Sequence, residues 1–496
     1  MAKKIILEPS RTLMEFRLLP GFTSKDMSPN MVSLKTPLVY CDDKDKFMLN
    51  FPIVSAAMQS VSGEKMGIEM AKLGSVAFIF GSQPLWSQAD MISKIKNYKA
   101  GFVKPKAVSP NMTIKEMYKI RKETGYSTFP VVDNNDFFVG LISKNDYDIS
   151  LHKDALIKDR MLTKEETKYG VNISNLKEAN NILLESHKSV LPILDDEGKL
   201  LSIVFRKDIH EYQEHPYEMV DKQKRLVAVA AINTHDYTDR VPALVDAGVD
   251  VLAIDSSDGF TSYQKDTIVW IKQNYPNIPV IAGNIITRKG FRYLVDAGAN
   301  AVKIGMGGGS ICITQEQKGT GRGLATTIID VVKERDKYYE ETGKYIPIVA
   351  DGGVTGTKDI TIALALGADY VMMGRYFARM EESPTEKIVV NNRVMKPYWG
   401  EGSARAKQWL QNRYNQTKFV EGVEGLVEYA GRLQDNIQET LMKIKASMST
   451  CGAVSIGEFH KKAVLELVSA LSIREGKPHD ILLHRENGDS NENYDL

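Results

Sequence analysis

One phrase recurs three times in this chain. A helix end is stopped by glycine, and a run of small and branched apolar residues follows that finishes in Asp or Gly. It runs from Leu244 through Gly248 to Asp255, from Leu294 through Gly298 to Gly305, and from Leu364 through Gly367 to Gly374. Glycine just past a helix takes the left-handed conformation that closes it, and a near-continuous apolar run marks a strand buried on both faces of a parallel sheet. Further apolar strands at Leu226–Ile232, Ile278–Ala282 and Ile346–Ala350 fall between helical stretches, and residues 47–80 read as strand, helix, strand. Regular β-then-α units at this spacing predict a TIM (β/α)8 barrel, an α/β fold whose site lies at the C-terminal ends of the strands. A Rossmann-type sheet is the alternative, but no GxGxxG opens a helix after a strand in the required context.

The rhythm breaks between residues 102 and 221. Phe129-Pro130-Val131-Val132-Asp133 returns as Leu191-Pro192-Ile193-Leu194-Asp195, and at the same offset Val139–Asp146 returns as Leu201–Asp208. Two copies of a βαββα unit, about 104–158 and 159–221, are expected as an insertion between barrel segments 1–101 and 222–496. The pair resembles tandem CBS domains (a Bateman domain), which implies an adenine or guanine nucleotide as its ligand.

Composition narrows the function. At 496 residues the chain exceeds one ordinary core. A net charge of +1 gives no case for nucleic acid or an acidic membrane. The three cysteines, Cys41, Cys312 and Cys451, form no CxxC, and the His residues form no HExxH, so neither a disulfide framework nor a zinc site is expected. MAKKIILEPS lacks a signal-peptide core and no apolar run reaches membrane length, so a cytoplasmic protein is expected.

The chemistry concentrates at strand ends. Lys303–Gly323 packs two glycine clusters around Ser310-Ile311-Cys312-Ile313-Thr314. Glycines let a ligand approach the backbone closely, and a Cys in such an open loop is a candidate nucleophile; a small packed Cys is the plainer alternative. Asp255-Ser256-Ser257 and Gly283-Asn284 end two earlier strands. Asp351-Gly352-Gly353 and Gly374-Arg375 would end the seventh and eighth, where barrels commonly bind phosphate through backbone N–H groups. Asp351 beside two glycines suits a ribose. Tyr398-Trp399-Gly400-Glu401-Gly402-Ser403 opens a polar stretch ending at Glu421-Gly422, read as a flap over about 391–425. A helix is expected over Gln434–Met448 and a disordered tail after Leu483.

Taken together, GMGGGSICIT around Cys312, ADGG at 350–353, MMGRYFA at 372–378, YWGEGS at 398–403, NRY at 412–414 and the insertion resemble the inosine-5′-monophosphate dehydrogenases. The resemblance implies that the Cys312 thiolate attacks C2 of IMP, that hydride passes to NAD, and that water hydrolyses the resulting thioimidate. The water would be activated by Arg413 and Tyr414 with Thr314. For IMP it implies Ser310, Gly353, Gly374, Arg375 and Tyr398 at the phosphate. It further implies Asp351 at the ribose, and Gly400, Glu401, Gly402 and Glu421 at the purine. For NAD it implies Asp255, Ser256, Ser257, Asn284, Gly305, Gly307 and Lys303, where other members carry Arg. It implies a homotetramer and a potassium site built from carbonyls of Gly307, Gly309 and Cys312 with a neighbouring subunit's Glu475-Gly476-Lys477. The family's third residue there is Gly, so either the Lys477 ammonium replaces potassium or Lys477 faces solvent and potassium binds. Two rivals remain. GMP reductase shares the loop Cys but generally lacks the insertion and the Arg-Tyr flap, and a nucleotide sensor would keep the fold without the chemistry.

Overall fold

The computed structural model describes residues 5–43, 47–98, 102–103, 106–124, 126–173, 176–206, 217–222, 225–408 and 420–479. The chain divides into two compact units, one of residues 1–96, 217–219 and 226–496, the other of 97–216 and 220–225.

The first unit is built on eight strands: β1 Ile53–Ser55, β2 Phe78–Ile79, β3 Val229–Ile232, β4 Val251–Ile254, β5 Val280–Ile285, β6 Ala301–Ile304, β7 Ile348–Asp351 and β8 Tyr370–Met373. They lie side by side in the order β1-β8-β7-β6-β5-β4-β3-β2, every pair parallel. A parallel bridge between Ser55 and Ala77 joins the first strand to the second and closes the ring. The three repeated phrases supply β4, β6 and β8, each running straight out of a helix. Side chains alternate along a strand, and Val229, Ala231, Val251, Ala253, Ile281, Ala301, Val349 and Met372 pack into one buried cluster inside the ring. Leu38 and Leu49 extend that cluster, and the Tyr370 hydroxyl donates to the Leu38 carbonyl at 2.8 Å.

The helices after β4 and β5 start on threonines: Thr261 and Thr287 each accept the N–H three residues on, an N-cap worth about 1 kcal/mol. Such caps fix where each strand-end loop stops. A three-stranded antiparallel sheet, Ile388–Val390, Arg393–Trp399 and Glu424–Glu428, follows the barrel, then a helix over Leu433–Thr450. No helix among the described residues is long and apolar enough to cross a membrane.

In the second unit the sequence repeat becomes a repeat of hairpins. Thr128–Val132 pairs antiparallel with Phe138–Ser143, and Val190–Leu194 with Leu200–Phe205. Both hairpins slip register at the same place, Val131/Val132 and Ile193/Leu194. Asp133 Oδ1 accepts the N–H groups of Asn135 and Phe137, and Asp195 Oδ1 those of Glu197 and Lys199. The repeated Asp is therefore a turn residue that satisfies its own backbone. Each hairpin packs on its own helix, Ile114–Thr124 or Leu176–Glu185, with separate cores around Phe129 and Ile142 and around Leu191 and Val204.

Candidate active site

One cavity of about 510 Å³ opens at the C-terminal ends of the barrel strands. Apart from Gly283, the strand-end residues singled out in the sequence line it: Asp255 to Ser257, Asn284, Lys303, Gly305, Gly307, Gly309, Ser310, Cys312, Thr314, Asp351, Gly353, Gly374 and Arg375, with Tyr398, Gly400 to Gly402 and Glu421 from beyond the barrel. Arg413, Tyr414 and the tail after Leu483 lie outside the described residues. Glu475, Gly476 and Lys477 stand at the exposed end of helix Ala470–Glu475 and take no part in this chain's cavity.

Cys312 is half-buried, its Sγ 3.1 Å from Thr314 Oγ1, and the Thr314 hydroxyl in turn reaches Glu421 Oε2 at 3.4 Å. Glu421 is held from the other side by Lys318, 2.9 Å from its Oε1. The loop does not float. Ile313 N–H donates to the Glu421 carbonyl and Val423 N–H to that of Ile311, so the segment carrying Cys312 is stitched edge to edge with residues 421–423. Its far end is tied by a bridge between Met306 and Arg322, and Arg322 binds the Ile286 carbonyl and Asp330.

A buried ionic network forms the floor. Lys303 points inward from β6, 2 % exposed, with its ammonium 2.6 Å from Asp255 and 3.2 Å from Asp351. Burial alone would depress the ammonium's pKa, but the two carboxylates outweigh it and raise it, so Lys303 stays charged. Asn284 donates to Asp351 Oδ2 and to the Gly305 carbonyl, both at 2.9 Å, and its own Oδ1 is buried without a partner. Thus the two aspartates assigned to different ligands by resemblance share one cation. Gly305 has φ +122, and a Cβ there would strike the Asp351 carbonyl oxygen; only glycine lets β6 turn into the loop so close to β7.

The hydroxyl of Tyr398 hydrogen-bonds Ser310, and burial pushes its pKa to about 12, keeping it a donor at neutral pH. A Cβ on Gly374 would come within 2.6 Å of that hydroxyl. Glu401 is unlike the others: its Oε1 accepts the Gln59 N–H at 2.6 Å, and its Oε2 accepts from the Ser82 hydroxyl. Burial raises its pKa to about 7, with Asp255 adding repulsion. Sequence reasoning did not single out Gln59, Ser82 or Lys318. Ser82 could have been found, since Phe80-Gly81-Ser82 follows β2 in the pattern of the other strand ends.

A closed parallel barrel whose strand ends, glycine loop and Cys312 open on one cavity has the layout of a barrel enzyme of small molecules. Residues 10–479 match the family model described as IMP dehydrogenase / GMP reductase domain. The chain belongs to that family. It is 48 % identical to the inosine-5′-monophosphate dehydrogenase of Tritrichomonas foetus over 489 residues, covering 96 % of this chain and 97 % of that protein. It is 35 % identical to the enzyme of the same name from Aquifex aeolicus over 478 residues, 95 % of each chain. Among solved structures, a cysteine-to-alanine variant of the GMP reductase of Trypanosoma brucei, in complex with guanosine 5′-monophosphate, superposes with a TM-score of 0.83 at 25 % identity, covering 96 % of this chain and 99 % of that one. That coverage corrects one expectation: a GMP reductase can align across the inserted unit as well, so the insertion does not separate the two activities.

Proposed function

We propose that this chain oxidises inosine 5′-monophosphate to xanthosine 5′-monophosphate with NAD. The observation that carries the reading is Cys312 Sγ beside Thr314 Oγ1 in a cavity that also presents Asp351, the Gly352-Gly353 turn and Tyr398. The thiolate adds to C2 of the hypoxanthine, and the tetrahedral carbon releases hydride to the nicotinamide, giving NADH and a thioimidate. Water then adds at C2 and the sulfur leaves, regenerating Cys312. Covalent attack divides a difficult hydride abstraction from an aromatic ring into two easier steps. Thr314 and Glu421 stand in line behind the sulfur to carry the proton released by water, and Arg413 and Tyr414 would join them by resemblance. The unpartnered Asn284 Oδ1, set in the cavity wall, suits the amide N–H of a nicotinamide.

The carbonyls of Gly307, Gly309 and Cys312, together with Glu475-Gly476-Lys477 of the partner subunit in a homotetramer, would hold a potassium ion or the Lys477 ammonium in its place. Oxygen-only carbonyl donors fit a hard monovalent cation, although the Gly309 carbonyl already accepts the Cys312 N–H at 3.0 Å. Such a cation would steady the loop that carries Cys312. Strong activation by potassium in a buffer freed of sodium and potassium would exclude the lysine alternative. The tandem unit would take an adenine or guanine nucleotide, and a thermal-shift series with ATP, GTP and their monophosphates tests it.

The deciding experiment follows NADH absorbance with IMP and NAD for wild type and Cys312→Ala. Turnover that the substitution abolishes supports the reading. NADPH consumption with GMP, and none with IMP and NAD, would replace it with the reductase activity.

A further inference from the structure

A second cavity, of about 490 Å³, lies behind the active site in the same unit. Phe80, Met91, Ile388, Pro397 and Trp399 give it an apolar and partly aromatic lining. Two of its polar groups are open to a ligand, one at the exposed rim and one buried. The Arg405 guanidinium lies over the Trp399 ring, its carbon 4.0 Å from the ring centre, and no carboxylate of the described residues pairs with it. Thr385 Oγ1 is buried, lines the same cavity and makes no hydrogen bond to any of the described residues. A buried hydroxyl without a partner is uncommon in a native protein, and a stacked, unpaired guanidinium is suited to a carboxylate or sulfonate. The volume falls in the range of small-molecule sites. Glu386 also lines the cavity, which disfavours ligands of several negative charges.

We propose that this cavity binds a planar aromatic monoanion, with its ring against Trp399 and its anionic group between Arg405 and Thr385. Such a ligand would touch the wall shared with the catalytic cavity. Gln59 and Ser82 line the second cavity, the Trp399 indole N–H donates to Gln59 Oε1 at 3.0 Å, and Gln59 Nε2 donates to the Ser82 carbonyl at 2.8 Å. The Gln59 N–H and the Ser82 hydroxyl both hold Glu401, which faces the active site. Occupancy is therefore transmitted to the purine end of the catalytic cavity. This effect on turnover rests on the function proposed above; the binding itself does not.

The test titrates the full-length protein with 1-naphthalenesulfonate by calorimetry, with naphthalene-1-methanol as the uncharged control. Saturable binding of one probe per chain is expected, weakened at least tenfold by Arg405→Ala and about threefold by Thr385→Val, with the control binding at least tenfold more weakly than the sulfonate. Ile388→Trp, which puts a bulky ring into the cavity where the probe would lie, should weaken binding at least tenfold and serves if Arg405→Ala fails to fold. Absence of saturable binding, equal binding by wild type and folded variants, or strict competition with IMP in Cys312→Ala protein would overturn the proposal. Loss of catalysis in every assay with binding intact would overturn only the proposed function.

Discussion

Replacing Glu401 with Gln removes one titration and turns the acceptor facing the Ser82 hydroxyl into a donor to it. The amide oxygen can still accept the Gln59 N–H, and the side chain keeps its length. In the folded protein the carboxyl's pKa is raised, chiefly by burial, from an ordinary 4.5 to about 7. Between those values the folded chain binds a proton that the unfolded chain releases, so stability falls as pH rises through the window. At 1.36 kcal/mol per pH unit the full displacement is worth about 3 kcal/mol, and partial contact with solvent reduces it to roughly 2. Below pH 4.5 wild type carries no such penalty; above about pH 7 it carries all of it. Urea unfolding of both proteins at pH 5 and pH 8 reads the difference directly. The stability of Glu401→Gln relative to wild type should rise by about 2 kcal/mol from the lower pH to the higher. A gap that does not change with pH would show that Glu401 is solvated enough to titrate normally, and the argument from its burial would fail.

Three other substitutions probe the remaining supports. Lys303→Met strands Asp255 and Asp351 around an uncharged side chain, and should cost roughly 2–4 kcal/mol in urea unfolding while raising KM for both substrates. Gly305→Ala, at φ +122 and against the Asp351 carbonyl, should cost more than about 3 kcal/mol or prevent folding, read by soluble yield and circular dichroism. Lys318→Gln frees Glu421 on one side; the pair is partly exposed, so stability should change by less than about 1 kcal/mol. Its kcat should nonetheless fall severalfold with KM for IMP unchanged.

The barrel was legible because its buried strands are short, apolar and punctuated by glycine, so that counting phrases counts strands. Asp351-Gly352-Gly353 and Gly374-Arg375 could be assigned to β7 and β8 in this way. The strand bounds shifted by a few residues, as at Val280–Ile285 against the expected Ile278–Ala282, because Ile278 and Pro279 precede the first ladder pair and the ladder runs on through Gly283 to Ile285. Partnerships across the fold were not legible. Nothing local to Glu401 signals that Gln59 and Ser82 hold it, nor does the sequence around Lys318 point to Glu421. In both cases the partners meet only because the ring closes and the segment after it folds back. The inserted unit was legible as a repeat, down to the Asp that ends each first strand, since turn chemistry is written in adjacent residues.

The Glu421 N–H donates to the Gly402 carbonyl at 3.1 Å, so the chain leaves the active-site rim and returns to it at a single point. The next residue, Gly422, bridges to Cys312, so the closure is made on the same strip of backbone that holds the cysteine. The rim thus fixes the cysteine through main-chain bonds alone, and a change of side chain at Glu421 leaves those bonds in place.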